Sequence, residues 1–572
     1  MKKSICTFFT AMAFCCTFGQ YWQQQVDYRI DVSLNDKDHV LDGFEKITYT
    51  NNSPDTLTFI WFHLWPNAFK NDKTAFTQQQ LLNGDTKFYF SSKEQKGYIN
   101  RLSFKVNGQT ARTEDHPEHI DIIKLVLPSA LLPGKQVVIT TPFHVKLPYN
   151  FSRGGHRGLS YQVTQWYPKP AVYDADGWHP MPYLDQGEFY SEFGSFDVKI
   201  TLPKSYVVAA TGELQNEDEK TWLLTRGSAA SDVGSKKKQT ATSTARTPPS
   251  KTVKKSVKKP AAPMSKEETI TAEAKTLHYM QNNVHDFAWF ADKNFIVNHD
   301  TCSLPSGRVI EVYTYFNPEH KKIWKNSTQL SKDAIQFYSS EVGEYPYNIV
   351  SAVQGPQNFG GGMEYPTITV IAPVEDEKSL DIVLAHEIGH NWFYGILASN
   401  ERKHPWLDEG VNSFYENKYK KAKYGSTSNA EDLLLQTKAV QHQDQPIETP
   451  SESFSLTNYI LVAYHKTAKW LQLMEQETGE QQFRKAMQNY YNTWKFKHPQ
   501  PQDFRNALAP ALGEKAQSYF SHLNSKGSSP AEEKRTWSVV SPFSLKKYVD
   551  APTKNLLLLS PLIGLNSYDK FM

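Results

Sequence analysis

The chain has 572 residues, more than a single hydrophobic core usually supports, so we expect two or three domains. Aromatic residues make up 13% of it, a content that indicates large buried surfaces and excludes a wholly disordered chain. The formal net charge is only +3, and ten Lys and Arg residues between Gly227 and Lys266 leave the remainder mildly acidic. The charge therefore gives no indication of nucleic-acid binding.

Residues 1–19 have the composition of a secretory signal peptide. Two lysines precede an apolar stretch from Ile5 to Phe18, and a small residue follows it. The stretch is too short to span a membrane, so we expect export to the periplasm, the cell envelope or the extracellular space. A lipoprotein anchored through a cysteine of this segment is the alternative interpretation. Cys302 is then the only cysteine of the mature chain, which excludes an internal disulfide.

Residues 20–292 are predicted to form an antiparallel β-domain. The segments VDYRIDVSL, FEKITYTN, LTFIWFHLW, VVITTPFHV and SFDVKITL alternate or are rich in β-branched and aromatic residues, and turn sequences separate them. SYVVAATGEL and TWLLT (221–225) predict further strands. The lysine-rich segment 227–270 has no aromatic residue and predicts a disordered, solvated insertion within this domain.

Residues 293–527 combine strand patterns with helix patterns. RVIEVYTYF, VSAVQGP, GGMEYP and TITVIAP predict strands, and helices follow from Glu375 onward. We expect LDIVLAHEIGHNWFYGIL to form one buried helix, because it is apolar on nearly every side. Residues 528–572 are expected to be a tail or the start of a further domain, so a large C-terminal helical domain is absent from the predicted architecture.

A short motif within the predicted buried helix indicates a metal site. His386 and His390 are four residues apart, which on a helix lets both imidazoles face one metal ion. Glu409 follows after eighteen intervening residues and is the candidate third ligand. Two histidines and one carboxylate leave a fourth tetrahedral position open, as in a catalytic zinc site. Glu387 lies beside the ligands and is the candidate general base for an attacking water.

Three separated motifs stand in the chain: GGMEYP (Gly361 to Pro366), HEIGHNW with LDEG, and AYHKTAKWLQLM. Their identity, order and spacing, over roughly residues 20 to 525, resemble zinc peptidases of family M1, the gluzincins that include aminopeptidase N and leukotriene hydrolase. The chain departs from the family pattern at Tyr365, Thr467 and the pair Tyr394-Gly395. None of these is a ligand or the base, so they bear on substrate fit.

The resemblance implies a thermolysin-like α+β catalytic domain, one Zn²⁺ per chain and roles for further residues. Tyr464 holds the family position of the hydroxyl that stabilises the oxyanion. Glu364 holds the position of the carboxylate that binds the free α-amino group of a peptide. The strand residues Gly361, Gly362 and Met363 are expected to pair with the substrate backbone. Gln165, in TQWYPKPAVYD, is expected to be a second anchor for the amino group.

The sequence thus predicts an exported zinc aminopeptidase that acts on peptides with a free N-terminus. Two other classes of function stay open at this point. The first is another enzyme on the same zinc site, either an endopeptidase or an epoxide hydrolase. The second is a peptide-binding relative without activity, although it would have no physical reason to keep an open metal site. Nothing in the sequence predicts an oligomeric state.

Overall fold

The computed structural model describes residues 21–227, 273–356, 361–425 and 430–527. Most of the predicted insertion, residues 1–20 and the tail 528–572 lie outside the described residues. Within the described ranges, no helix is both long enough and apolar enough to cross a membrane.

The N-terminal part, up to Asp292, is built mainly from β-strands. These are β1 (Gln25–Asn35), β2 (Val40–Thr50), β3 (Leu57–His63), β4 (Tyr98–Asn100), β5 (Lys105–Val106), β6 (Gln109–Thr110), β7 (Thr113–Asp115), β8 (Ile122–Leu131), β9 (Gln136–Lys146), β10 (Gly155–Arg157), β11 (Ser160–Val163), β12 (Lys169–Pro170), β13 (Tyr173–Asp174), β14 (Gly177–Trp178), β15 (Gly194–Pro203), β16 (Val207–Ala210), β17 (Glu213–Leu214), β18 (Ala274–Val284) and β19 (Trp289–Asp292). Among the described residues of this part, two short α-helices interrupt the strands, α1 (Ala75–Leu82) and α2 (Glu217–Leu224).

These strands form one large sheet and several smaller ones. The large sheet has the order β17-β18-β15-β1-β2-β9-β5-β6, with β4 paired to β9. Smaller sheets have the orders β10-β11-β19-β16 and β12-β3-β8-β7. Strand β1 shows why the sheet packs on a core: its side chains alternate, and Val26, Tyr28 and Ile30 are buried while their neighbours face outward. All but one of the pairings in the large sheet are antiparallel, the exception being β1 with β15.

The prediction of a strand at Thr221–Thr225 is wrong. These residues lie almost entirely in α2, which begins with three acidic residues in its first turn. Negative charge near a helix N-terminus stabilises the helix through its dipole, and this local effect outweighs the strand propensity of TWLL.

The second part pairs a mixed sheet with a group of helices. Its strands are β20 (Ile296–Ser303), β21 (Val309–Phe316), β22 (Ile349–Gln354), β23 (Gly362–Tyr365) and β24 (Ile368–Ile371), in the order β20-β21-β22-β24-β23. Its α-helices are α3 (Ser327–Glu341), α4 (Glu377–Gly389), α5 (Glu409–Tyr424), α6 (Ala430–Val440), α7 (Leu456–Asn458), α8 (Thr467–Thr478), α9 (Glu480–Trp494), α10 (Pro501–Leu512) and α11 (Ala516–Ser521). Two π-helical segments, Asn391–Ile396 and Tyr459–Lys466, follow α4 and α7, and short 3₁₀ turns connect other elements.

The predicted buried helix is shorter than expected. Helix α4 begins after Asp376, whose side chain caps it by accepting a hydrogen bond from the Ser379 amide at 2.7 Å, and it ends at Gly389. The chain then leaves helical geometry at Phe393 and Tyr394, so the sequence forms a helix followed by a bent π-helical segment. The break lies just beyond His390, and both histidines of the motif still share one side of the helix end.

Candidate active site

The three predicted metal ligands converge in the structure. Nε2 of His386 and Nε2 of His390 are 3.0 Å apart, and Oε2 of Glu409 lies 3.5 Å from the first and 3.3 Å from the second. Helix α4 supplies His386, the C-cap residue that follows its last turn is His390, and the first residue of α5 is Glu409. Glu409 Oε2 is buried and has no hydrogen-bond partner within the described structure, so an acceptor atom is directed at the point where two imidazoles meet.

Two acidic side chains orient the imidazoles from behind. Nδ1 of His386 lies 3.0 Å from Oε2 of Glu416, and Nδ1 of His390 lies 2.5 Å from Oδ1 of Asp408. Each contact directs Nε2 toward the shared centre, as in carboxylate–histidine–metal arrangements. Burial alone lowers the pKa of His386, but the nearby carboxylates of Glu409 and Glu416 raise it to about 10. The surroundings of the two histidines therefore favour a positive charge.

Glu387 is buried beside the ligands and close to the edge strand β23. Its Oε2 atom has no hydrogen-bond partner among the residues described. Burial raises the pKa of Glu387 to about 7, against the opposing effect of His386 and His390. A Cβ atom at position 362 would lie 2.1 Å from Glu387 Oε1, so only glycine lets β23 approach this carboxylate. A carboxylate with a pKa near neutrality can accept and return a proton.

Tyr464 lies in the π-helical segment Tyr459–Lys466 and faces the same centre. Its hydroxyl donates a hydrogen bond to Glu409 Oε1 at 2.5 Å, and its ring is parallel to that of His386 with centroids 6.0 Å apart. A Cβ at Gly410 would lie 2.5 Å from the carbonyl oxygen of Ala463, so this glycine permits the close approach. Burial and the charge of Glu409 raise the pKa of Tyr464 well above 10, which keeps the hydroxyl protonated.

Glu364 lies on β23, which is the last strand in its sheet order. It is only 5% exposed, and its Oε1 atom has no hydrogen-bond partner in the described part of the chain. One of its oxygens lies within 4.8 Å of a nitrogen of His390 and an oxygen of Asp408. Burial raises the pKa of Glu364 well above its ordinary value. The structure thus brings a buried carboxylate next to the histidine pair.

The edge strand is fixed to the N-terminal part through its neighbouring residues. Arg153 Nε donates to Met363 Sδ at 3.2 Å, and Gly361, just before the strand, adopts a positive φ of 73°. Gln165 is buried; its amide nitrogen donates to Asp286 at 3.2 Å and its amide oxygen accepts from the Tyr365 hydroxyl at 3.3 Å. Both ends of the Gln165 amide are therefore occupied by side chains of the protein.

Two further acidic residues near Glu364 were missed by sequence reasoning. Carboxylate oxygens of Glu188, Glu364 and Glu401 all lie within 4.8 Å of one another. Glu188 belongs to the loop before β15 and Glu401 to the loop before α5, so no spacing in the sequence relates them. Glu416 could have been found, because it lies seven residues after Glu409 on one face of α5.

The chain is similar to known peptidases in part of its sequence and in its fold. The sequence profile described as "Peptidase family M1 domain" matches residues 327–523. Aminopeptidase 2 of Candida albicans is 26% identical over 38% of this chain and 25% of its own length. The leukotriene A-4 hydrolase homolog of Botryotinia fuckeliana is 27% identical over 32% of this chain and 30% of its own length. The chain thus spans less than a third of the length of these curated relatives.

Solved structures share the whole architecture at low sequence identity. The M1 zinc metallopeptidase of Deinococcus radiodurans superposes with a TM-score of 0.55 at 14% identity, covering 89% of this chain and 95% of that one. Legionella pneumophila aminopeptidase A gives a TM-score of 0.58 at 12% identity, covering 89% of this chain and 50% of that one. They confirm the predicted fold, a β-rich N-terminal domain followed by an α+β domain. Residues 327–523 thus match the domain that defines peptidase family M1.

Proposed function

We propose that this protein is a zinc aminopeptidase that removes the N-terminal residue of peptides. The observation that carries the proposal is the proximity of two features: a convergent set of metal-binding side chains, and the buried carboxylate of Glu364 within 4.8 Å of a nitrogen of His390. A peptide whose α-ammonium group pairs with Glu364 has its first peptide bond close to the metal site. The names of the M1 relatives support the same class of reaction.

The residues at the centre fit a zinc ion. His386, His390 and Glu409 are the ligand types that catalytic zinc sites use, and the partnerless Glu409 oxygen is aimed at the point where the imidazoles meet. When bound, zinc would act as a Lewis acid, polarising the scissile carbonyl and making water more acidic. Asp408 and Glu416 would hold the imidazoles in the orientation that the ion needs.

Glu387 is the proposed general base. Its carboxylate is buried beside the ligands, and its pKa of about 7 suits a group that takes a proton from the attacking water and returns it to the leaving amine. Because Gly362 has no side chain, the edge strand lies close to this carboxylate. A substrate lying along β23 would therefore place its peptide bond within reach of the base.

Tyr464 is the proposed donor to the developing oxyanion. Its hydroxyl is held at the metal site by Glu409 and stays protonated, so it can turn toward a negative oxygen that forms there. A neutral donor placed in advance in a buried site stabilises the transition state more than it stabilises the uncharged substrate.

Edge strand β23 is the proposed docking strand for the substrate backbone. In the sheet order, β23 has a neighbour, β24, on one side only among the residues described. An extended peptide can add to such an edge through main-chain hydrogen bonds. Gly361, Gly362 and Met363 lead into Glu364, so pairing along this strand would bring the peptide's first residue toward the Glu364 carboxylate.

A panel of aminoacyl fluorogenic amides tests the proposal. The purified protein should hydrolyse several of them, lose this activity after removal of metal by a chelator, and regain it when Zn²⁺ is added back. Cleavage of an internally quenched, N-blocked peptide with no release of terminal residues would instead support an endopeptidase. Hydrolysis of an epoxide in the absence of any amidase activity would instead support an epoxide hydrolase.

Export of the protein is part of the proposal and rests on the sequence of residues 1–19. Expression of the full-length chain with a C-terminal tag, followed by cell fractionation and mass determination, tests it. We expect the mature form to lack the first 19 residues and to be recovered outside the cytoplasm. A cytoplasmic protein that retains these residues would contradict export.

A further inference from the structure

The segment that carries Tyr464 has an uncommon helical geometry. Residues Tyr459–Lys466 form a π-helical segment, and helix α8 continues from it at Thr467. Hydrogen bonding of the π type is rare, is mostly confined to single turns, and is frequently found at functional sites. An interaction that stabilises this wide turn therefore also fixes the direction in which Tyr464 points.

Thr467 makes a side-chain hydrogen bond that fits this wide turn. Its hydroxyl donates to the carbonyl oxygen of Val462, five residues earlier, at 3.0 Å, and its amide donates to the same oxygen. In an α-helix a threonine hydroxyl bonds instead to the carbonyl three or four residues earlier. Thr467 and Val462 are both completely buried, so water does not compete for the bond. The bond thus stabilises the π-helical register relative to the α-helical one.

The methyl group of Thr467 packs against the first turn of α5. A Cβ atom at Gly410 would lie 2.3 Å from Thr467 Cγ2 and 2.4 Å from Thr467 Cβ, so the glycine backbone is in contact with the threonine side chain. Gly410 follows Glu409, whose carboxylate accepts the hydrogen bond from Tyr464. Thr467 therefore lies between the segment that carries the tyrosine and the residue next to its acceptor.

A change of helical register would move Tyr464 away from the metal site. If the π-helical turn relaxed to an α-helical turn, the residues on its two sides would rotate by about 100° relative to one another, the angle of one helical residue. The hydroxyl of Tyr464 would then no longer point at Glu409, from which it is now 2.5 Å away. A displacement of about 1 Å is enough to slow catalysis about a hundredfold.

We propose that Thr467 is a positioning residue for Tyr464: its hydroxyl stabilises the π-helical turn, and its methyl group fixes the distance of this turn from α5. The inference rests on the proposed function, in which Tyr464 donates to the oxyanion. We expected the departure from the family pattern at Thr467 to bear on substrate fit, and its contacts connect it instead with the turn that carries Tyr464. Its contribution should therefore appear in kcat and disappear when the Tyr464 hydroxyl is removed.

The first test compares Thr467→Val with Thr467→Ser on the zinc-loaded protein, with alanine p-nitroanilide as the substrate. Valine keeps the shape of the side chain and removes the hydroxyl, so kcat should fall at least about tenfold while KM changes little. Serine keeps the hydroxyl and loses only the methyl contact with Gly410, so its kcat should lie much closer to that of the wild type. Thr478→Val is the matched control, because the Thr478 hydroxyl bonds to the carbonyl oxygen of Met474, four residues earlier in the same helix, at 2.9 Å. This control should leave kcat unchanged.

The second test asks whether Thr467 acts through Tyr464. In a double-mutant cycle, Thr467→Val in the Tyr464→Phe background should lower kcat by less than about twofold, since the hydroxyl to be positioned is already gone. Calorimetry with a phosphinic pseudodipeptide, a stable analogue of the tetrahedral transition state, should show that Thr467→Val weakens its binding by the factor lost in kcat. Binding of alaninamide, which resembles the ground state, should be unchanged.

Circular dichroism and zinc content establish that each variant is folded and loaded. If Thr467→Val does not fold, Thr467→Ala takes its place, with Thr467→Ser still the variant that keeps the hydroxyl.

The outcomes separate this inference from the proposed function. Unchanged kcat in Thr467→Val, an equal loss in Thr467→Ser or in Thr478→Val, or an equal loss with and without the Tyr464 hydroxyl would each overturn the positioning role while the aminopeptidase assignment stands. Normal kcat in Tyr464→Phe would overturn this inference together with the proposed role of Tyr464. If the wild type releases no p-nitroaniline, the proposed function fails, and equal binding of the phosphinic analogue by the wild type and Thr467→Val would then overturn the positioning role as well.

Discussion

The hydroxyl of Tyr464 donates a 2.5 Å hydrogen bond to Oε1 of Glu409, the same carboxylate whose Oε2 faces the two histidines. One glutamate therefore connects the proposed oxyanion donor to the proposed metal site. Tyr464→Phe keeps the ring beside His386 and removes only the hydroxyl. We expect kcat to fall far more than KM rises, because the bond to the oxyanion strengthens only in the transition state. Steady-state kinetics measure both constants. A change confined to KM would show that Tyr464 only lines the pocket and does not stabilise the oxyanion.

Glu387→Gln should separate metal binding from proton transfer. The amide has the shape of the carboxylate but cannot accept the proton of the attacking water, so kcat should fall by at least about two orders of magnitude. The zinc content should remain that of the wild type, because Glu387 is not among the three converging ligands. Metal analysis alongside kinetics makes the comparison. Normal turnover in the zinc-loaded variant would overturn the assignment of the base.

Substitution of a metal ligand should abolish zinc binding, whereas substitution of an acidic residue that orients a ligand should only weaken it. His386→Ala, His390→Ala and Glu409→Ala each remove a coordinating atom and should yield protein without bound zinc. Glu416→Gln weakens only the support of His386 and should lower zinc affinity about 10–100-fold. Titration with a competing chelator measures this series. Full zinc in all three alanine variants would show that the ligand set is wrong.

A buried acid in the large N-terminal sheet predicts a pH effect on stability. Glu45 lies on β2, is completely buried, and neither of its oxygens has a hydrogen-bond partner in the described chain. Burial raises its pKa well above the ordinary value of 4.5. The folded state then holds a proton that the unfolded state releases, so the contribution of Glu45 to stability is greatest below pH 4.5 and falls as the pH rises toward its folded pKa.

Glu45→Gln should remove this pH dependence. The variant should be more stable than the wild type near neutral pH, and the gain should grow by up to about 1.4 kcal/mol for each pH unit above the ordinary pKa. Thermal unfolding of both proteins over a range of pH values measures the difference. Lys46→Gln, a change at the exposed neighbour on the opposite face, is the control. A gap between wild type and Glu45→Gln that does not change with pH would contradict the prediction.

The sequence predicted best those features that depend on local spacing. The interval between His386 and His390 is a property of one helix, and strand β1 shows its buried face in its own alternation. The strand prediction at Thr221–Thr225 failed because the residues that favour the helix, the acids of its first turn, precede the apolar pattern. The end of α4 was placed too late, because the apolar sequence NWFYGIL looks the same whether the backbone is helical or bent.

Residues brought together only by tertiary structure were outside the reach of such reasoning. Glu188 and Glu401 are separated by more than two hundred residues, and each lies in a loop between regular elements. Nothing in either segment marks its glutamate as different from an exposed one. Their burial beside Glu364 depends on the packing of the N-terminal part against the family domain, to which Arg402 contributes by binding carbonyl oxygens of the loop before β15.

The role of Glu364 is the central claim, because it distinguishes an aminopeptidase from every other use of this metal site. The most direct measurement is kcat/KM for one peptide in its free and N-acetylated forms, on the wild type and on Glu364→Ala. We predict that the wild type cleaves the acetylated form at least about a hundredfold more slowly, since a buried carboxylate is then left without its cation. Glu364→Ala should keep its zinc and lose most of this discrimination. Equal rates for the free and acetylated peptide on the wild type would contradict the account and favour an endopeptidase.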